Sequence, residues 1–183
     1  MSSVVHQGTA TIVSTGGDEK TLLYDIPEET LQTSDHSGEA LVLEPCARIE
    51  HDQHHRKELM NAVSITTVTR CDKERVQLIA LGGIEGAVYI YGRLPSSSLK
   101  GSVCKLLCSL HGHTDWITDL AFTFPDQTFA EEGTKALLAS CSQDRSARVW
   151  HVNACQKSGR GLALVIQKAG IKMMLIILVY SRE

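Results

Sequence analysis

The sequence lacks an excess of positive charge. Lysine and arginine together number 18 against 21 aspartate and glutamate residues, which gives a formal net charge of -3 over 183 residues. Proteins that bind nucleic acid across a broad surface usually carry a basic excess, so this composition argues against such a surface. Apolar residues, by contrast, are plentiful. They make up 43% of the chain, which is enough to build the core of one soluble domain.

The chain also lacks a long hydrophobic run, a C-x-x-C pair and the charged-then-apolar layout of a signal peptide. Its longest apolar run, Met173–Tyr180, is much shorter than the roughly 20 residues that cross a membrane, so we expect a buried strand there. Its six cysteines follow no disulfide framework. These absences predict reduced thiols and a location in the cytoplasm, the nucleus or both.

Three segments of the chain repeat one pattern. Each has a short apolar run with small residues, then a polar turn that ends in an acidic side chain, then an alternating run that closes on an aromatic residue. The segment around Leu138 aligns without gaps with that around Ile12 at an offset of 138 − 12 = 126, and with that around Ile79 at 138 − 79 = 59. The acidic and aromatic positions are Asp18 and Tyr24, Glu85 and Tyr91, and Asp144 and Trp150. This repeated pattern predicts three β-hairpins.

The predicted fold class is therefore all-β. In these runs β-branched and aromatic residues alternate between two faces, as they do in half-buried strands. We place hairpins near residues 10–26 and 76–92 and a third within residues 103–152. Residues 103–110, VCKLLCSL, are expected to add an outer strand, so that residues 103–150 form a four-stranded unit.

The last of the three segments resembles a WD repeat. The resemblance is carried by the Gly-His pair at residues 112–113, the turn residue Asp144 and the closing Trp150. His151 stands where that family usually has a final aspartate, whereas the first copy keeps the aspartate as Asp25. The middle copy has no Gly-His pair upstream. The resemblance implies blades of a β-propeller.

A narrower resemblance relates residues 76–152, and more loosely residues 10–26, to the family of Elongator second subunits. It is carried by Gly-His-Thr-Asp-Trp-Ile at 112–117 and Leu-Ala-Ser-Cys-Ser-Gln-Asp at 138–144. It implies a non-catalytic scaffold of the complex that modifies wobble uridines in tRNA. The implied partners are other Elongator subunits, with tRNA at most indirect and with no membrane, cofactor or small-molecule substrate. A generic WD-repeat adaptor for protein interactions is the alternative.

Ser140, His113 and Asp144 permit two interpretations. A serine hydrolase uses these residue types, but it also needs an exposed, strained turn such as G-x-S-x-G and an oxyanion hole, and the sequence indicates neither. The WD-repeat resemblance instead implies a structural network in which these three side chains and Trp150 bond to one another. We favour the structural network and keep the hydrolase as the alternative.

Two other groups of residues could carry chemistry. The run EHDQHHRKE at residues 50–58 contains three histidines, but adjacent histidines rarely share a tetrahedral site and no second cluster supplies further ligands. We therefore expect a solvated loop that binds no metal. The alternative is a zinc-binding protein that loses its zinc when His54 is replaced by alanine.

Cys104 and Cys108 lie four residues apart, so on a regular strand they share a face, and we expect core thiols rather than a disulfide.

We assign residues 1–152 to a partial propeller of about two to three blades and residues 153–183 to an irregular tail. Residues 1–26 are expected to be the back half of one blade, residues 27–100 a second blade and residues 101–152 the best-formed one. The tail lacks a Gly-His pair and a turn aspartate, which suggests a shortened product or an incomplete gene model. Propellers typically have four to eight blades, so other subunits or a missing continuation would cover the open edges.

Overall fold

The computed structural model describes residues 1–6, 8–18, 20–27, 29–30, 42–49, 59–69, 75–93, 103–123, 135–155, 163–168 and 174–178. Most of these residues lie in β-strands, which confirms the predicted all-β class. Segments such as SITTV at 64–68 and VYIY at 88–91 combine β-branched and aromatic residues, which favour the pleated surface of a strand. In chain order the strands are β1 (Ser2–His6), β2 (Thr9–Thr15), β3 (Thr21–Pro27), β4 (Ala47–Ile49), β5 (Met60–Thr69), β6 (Arg75–Gly83), β7 (Val88–Arg93), β8 (Cys104–Leu110), β9 (Ile117–Thr123), β10 (Lys135–Ser142), β11 (Ala147–Cys155), β12 (Ala163–Lys168) and β13 (Met174–Leu178).

These strands form three antiparallel sheets in the described part of the chain. Sheet A has the order β1-β2-β3-β4, sheet B the order β5-β6-β7-β8, and sheet C the order β9-β10-β11-β12-β13. Within each sheet every strand pairs with its neighbour along the chain. β5 contacts β1 on one side and β9 on the other, so the first strands of the three sheets lie side by side. Sheets arranged in this way correspond to the blades of a partial propeller.

The three predicted hairpins are present in equivalent registers. In each hairpin the aromatic residue that closes the repeat lies opposite an apolar residue of the preceding strand. The pairs are Ile12 with Tyr24, Ile79 with Tyr91, and Leu138 with Trp150. The same offsets of 126 and 59 relate these pairs in the sequence and in the sheets. The internal repeat is therefore also a structural repeat.

Three groupings expected from the sequence differ from the structure. β8 pairs with β7 at the outer edge of sheet B, so residues 103–150 divide between two sheets instead of forming one four-stranded unit. Sheet A comprises β1 to β4, because β1 pairs with β2 and β4 with β3, so residues 1–26 supply two whole strands and most of a third and are not merely the back half of a blade. The tail is not irregular throughout, since β12 pairs with β11 and β13 with β12. The segments ALVIQK and MLIIL are apolar and β-branched, which suits addition to a sheet edge.

Sheet B lies between two hydrophobic cores. Alternate residues of a strand point to opposite faces, so Leu78 packs in the core shared with sheet C and Ile79 in the core shared with sheet A. Because both faces are covered, β6 is buried along almost its whole length. Sheet C approaches β6 closely at Gly82, where an added Cβ would lie 2.4 Å from Cγ2 of Ile117.

Candidate functional site

Four side chains that the sequence analysis selected meet on sheet C. His113 lies in the loop between β8 and β9, Ser140 in β10, Asp144 in the turn between β10 and β11, and Trp150 in β11. Trp150 packs in the core shared with sheet B, and Ser140 is on the same face because it follows Leu138 by two residues. The side chains of His113, Ser140 and Trp150 are buried. The antiparallel pairing of β10 with β11 thus assembles the cluster inside the fold.

These four side chains form one hydrogen-bonded series. Nδ1 of His113 lies 2.9 Å from Oδ2 of Asp144, and Nε2 of the same ring lies 2.9 Å from Oγ of Ser140. The indole N–H of Trp150 donates to the same Oγ at 3.0 Å. When Nδ1 carries the proton, the ring donates to the carboxylate and accepts from the serine hydroxyl, so both ring nitrogens have partners.

Asp144 is also held by its own turn and by the preceding loop. Its carboxylate accepts the backbone N–H of Thr114 at 3.1 Å, and the N–H and hydroxyl of Ser146 at 2.9 and 2.7 Å. The pKa of Asp144 lies below its ordinary value, and the hydrogen bond from the side chain of Ser146 makes the largest contribution to this shift. Burial opposes the shift, and the hydrogen bond from His113 adds to it. The carboxylate is therefore ionised at neutral pH.

The turn between β6 and β7 packs on the loop that carries His113. Gly86 in this turn has a φ of +79°, and an added Cβ would lie 2.8 Å from the carbonyl oxygen of His113 and 3.0 Å from that of Asp115. Any side chain at Gly86 would meet this backbone, so glycine allows the two sheets to touch here. At the same end of the fold, the carbonyl of Trp116 accepts the N–H of Gln143 at 2.9 Å, while the Trp116 side chain stays 47% exposed.

The geometry encloses Ser140. Its side chain is 0% exposed, and its Oγ already accepts the indole N–H of Trp150. A serine nucleophile must instead present Oγ to a substrate, usually from a strained turn between strand and helix. Within the described residues, this arrangement suits the pairing of buried polar groups better than attack on a substrate.

The other repeat positions selected from the sequence lie apart from this network. Asp18 and Glu85 are exposed in the hairpin turns of sheets A and B, and Asp18 forms an ion pair with Lys20 at 3.9 Å. Tyr91 is buried in the core between these sheets, and Tyr24 is half-buried in β3. These residues close their hairpins as the repeat predicts, but they do not reproduce the polar series of sheet C.

Asp25 belongs to a second buried network, which the sequence analysis missed. The guanidinium of Arg93 in β7 binds both carboxylate oxygens of Asp25 in β3, with Nη1 2.9 Å from Oδ1 and Nη2 bonded to Oδ2. Oγ1 of Thr11 donates to Oδ1 of Asp25 at 2.8 Å. The amide of Gln77 donates to Oγ1 of Thr11 at 2.9 Å and accepts from Nη1 of Arg93 at 3.1 Å. The network joins sheet A to sheet B.

Burial would by itself raise the pKa of Asp25. Hydrogen bonds from Arg93 and Thr11, together with the charge of Arg93, outweigh burial and hold the pKa below its ordinary value. One feature of the sequence could have revealed this site: Arg93 aligns with Ile26 and Val152, at offsets of 93 − 26 = 67 and 152 − 93 = 59. A charged residue at an otherwise apolar repeat position indicates a buried partner.

The two cysteines of β8 lie on opposite faces of sheet B, so the expectation of a shared face is wrong. The pairing of β7 with β8 shifts register between Ile90 and Tyr91, which leaves one extra residue in β8 and reverses the alternation. Cys104 packs against the core shared with sheet A, and Cys108 lies in the core shared with sheet C. Both thiols are free, and burial raises their pKa values to about 11 and about 12.

The histidine-rich segment at residues 50–58 lies outside the described residues. Among the residues that the structure does describe, no group of three or more His, Cys, Asp or Glu side chains could hold a metal ion. The described segments likewise contain no helix with the length and hydropathy needed to cross a bilayer.

Residues 104–151 match the family model described as WD domain, G-beta repeat. This segment contains the whole polar series from His113 to Trp150. These residues are thus similar to a WD repeat, and the three antiparallel sheets of the described residues are consistent with the blades of a partial WD-repeat propeller.

Similar curated proteins include Elongator complex protein 2 from three organisms. The Arabidopsis thaliana protein is 38% identical over 72 residues, which cover 39% of this chain and 8% of that protein. The Dictyostelium discoideum protein is 37% identical over 79 residues, or 43% of this chain and 9% of that protein. The Saccharomyces cerevisiae protein is 35% identical over 80 residues, or 44% of this chain and 9% of that protein. These matches confirm the predicted resemblance, over a segment that spans less than a tenth of each relative.

Proposed function

We propose that this chain is a non-catalytic WD-repeat scaffold that supports the assembly of an Elongator complex, which modifies wobble uridines in tRNA. The observation that carries the proposal is the WD repeat at residues 104–151, together with its likeness to Elongator complex protein 2. In this role the series from His113 to Trp150 holds sheet C together and takes part in no reaction. The free thiols of Cys46, Cys104, Cys108 and Cys141 suit a reducing compartment, the cytoplasm or the nucleus.

The enclosed serine supports a scaffold over a hydrolase. Ser140 has no exposed surface, whereas the loops around it present an exposed indole at Trp116. Tryptophan is among the residues that contribute most to protein interfaces, and Trp116 stands on a loop held to the turn between β10 and β11 by the hydrogen bond from the N–H of Gln143 to its carbonyl. A rigid loop with an exposed aromatic residue loses little conformational entropy when a partner binds.

Co-purification tests this function. A tagged chain is expressed in cells of its source, and the proteins that purify with it are identified by mass spectrometry. We expect other Elongator subunits, and we expect Trp116→Ala to lower their recovery about tenfold or more. Val103→Ala, at a 69% exposed apolar residue beside β8, is the matched control and should leave recovery unchanged.

Recovery of other proteins without any Elongator subunit would contradict the proposal. That result would favour a generic WD-repeat adaptor, and mass spectrometry would name its partners. Circular dichroism of both variants establishes that they fold. Microscopy of the tagged chain checks the compartment, and a signal confined to the secretory pathway would contradict that part of the proposal.

A further inference from the structure

Among the described residues, nothing covers the face of sheet C that points away from sheet B. Leu138 and Trp150 point toward sheet B, so by strand alternation Leu137, Ala139 and Val149 lie on the opposite face. We call this surface the back face of sheet C; it comprises Ala121, Leu137, Ala139, Cys141, Ala147 and Val149, together with the polar residues Asp119, Thr123 and His151. The residues of this face are exposed or half-exposed, and Val149 is 39% exposed.

The repeat indicates what kind of surface covers such a face. Val149 is equivalent to Ile90 in sheet B, at an offset of 149 − 90 = 59, and to Leu23 in sheet A, at 149 − 23 = 126. Ile90 and Leu23 are both 0% exposed, because sheet C covers the back face of sheet B and sheet B covers that of sheet A. The same position of the repeat is therefore covered in sheets A and B and exposed in sheet C.

The covering surface is the same in both cases. We call it the front face of a sheet, and it carries the apolar and aromatic pair of the repeat. Ile79 and Tyr91 of sheet B pack against sheet A, and Leu138 and Trp150 of sheet C pack against sheet B.

Sheet A has a front face of the same pattern. Ile12 and Tyr24 are its equivalent pair, and both are half-buried. Val5 of β1 pairs with Ala10 of β2, two residues from Ile12, and therefore belongs to the same face. Val5 is 68% exposed. The front face of sheet A thus offers the type of surface that covers a back face elsewhere in this molecule.

We propose that the back face of sheet C binds the front face of sheet A of a second copy of this chain. The contact continues, between molecules, the packing of sheet B on sheet A and of sheet C on sheet B. Among the described residues, the front face of sheet A carries the charged side chain of Arg48, which pairs with Leu22, and the back face of sheet C carries the polar side chains of Asp119 and His151, which pair with Cys141 and Leu137. The two surfaces differ from each other, so the interface is heterologous and can close into a ring or extend into a chain. This inference does not depend on the Elongator proposal.

Size-exclusion chromatography with light scattering tests the proposal over a range of protein concentrations. We expect the wild-type chain to form species heavier than one chain, in proportions that rise with concentration. Val149→Lys and Val5→Lys each place a charge in one of the two surfaces, and each should remove the heavier species. Val103→Lys is the matched control, because Val103 is 69% exposed beside the outer strand of sheet B and belongs to neither face.

A mixture of the two variants is the decisive measurement. The Val149→Lys chain keeps an intact front face and the Val5→Lys chain keeps an intact back face, so an equimolar mixture should form a species of two chains. A wild-type chain that remains monomeric at every concentration would overturn the proposal, and would leave the back face to a different protein. Persistence of the heavier species in either variant would overturn it too, as would a mixture that stays monomeric. Thermal unfolding of each variant verifies that it is folded, since both valines are exposed.

Discussion

Replacement of Ser140 by alanine is the sharpest test of the polar series on sheet C. The substitution removes the oxygen that accepts the indole N–H of Trp150 and that bonds Nε2 of His113. Each of these groups is buried, and a buried polar group without a partner costs about 1–3 kcal/mol. We therefore expect the free energy of unfolding to fall by about 2–4 kcal/mol, and the melting temperature by about 5–15 °C for a chain of this size.

Urea unfolding followed by circular dichroism measures this loss, with the midpoint shifted and the slope unchanged. Ser109→Ala is the matched control, because the hydroxyl of Ser109 bonds the exposed ring of His111 at 2.9 Å, where water can replace it. We expect the control to stay within about 0.5 kcal/mol of the wild type. A Ser140→Ala chain that melts within about 2 °C of the wild type would refute the reasoning. An ester hydrolysis activity that Ser140→Ala abolishes without a change in stability would support the hydrolase instead.

Two further predictions concern the contacts between sheets. The pKa of Asp25 is lowered in the folded chain, so its pairing with Arg93 stabilises the fold above the unfolded pKa and is lost as pH falls through the folded value. Thermal melts between about pH 7 and pH 2 should thus show that Asp25→Asn lowers stability at neutral pH and reduces the loss at low pH; equal slopes for both chains would contradict this. Gly86→Ala should cost at least about 1–2 kcal/mol in urea unfolding, because φ is +79° and the added Cβ meets the carbonyl of His113. Gly17→Ala, where an added Cβ meets nothing within 4 Å, is its control, and equal losses in the two variants would contradict the predicted clash.

The local parts of the fold were predictable from the sequence. Each hairpin is encoded within a short segment, since a polar turn and an alternating run are neighbours in the chain. The alignment of Ile12, Ile79 and Leu138 even anticipates the register in which these residues pair with their aromatic partners. The members of the polar series could be selected as well, because the Gly-His pair, the serine and the turn aspartate recur in a recognisable family.

Contacts between distant segments were not predictable. β8 adds to sheet B although it lies within the WD repeat at residues 104–151, whose other strands belong to sheet C, and nothing in its composition distinguishes an outer strand of one sheet from that of the next. The extra residue in β8 that separates Cys104 from Cys108 arises from register, which strict alternation does not foresee. Arg93 and Asp25 lie 68 residues apart, so their pairing depends on how sheets A and B meet.

The WD repeat at residues 104–151 begins in β8 of sheet B and ends in β11 of sheet C. A tandem gene duplication of such a segment copies the last strand of one sheet together with most of the next. Each new copy is therefore hydrogen-bonded to its predecessor as soon as it is translated and folded. Evolution can lengthen or shorten an array of this kind by whole segments without creating a sheet that lacks its outermost strand.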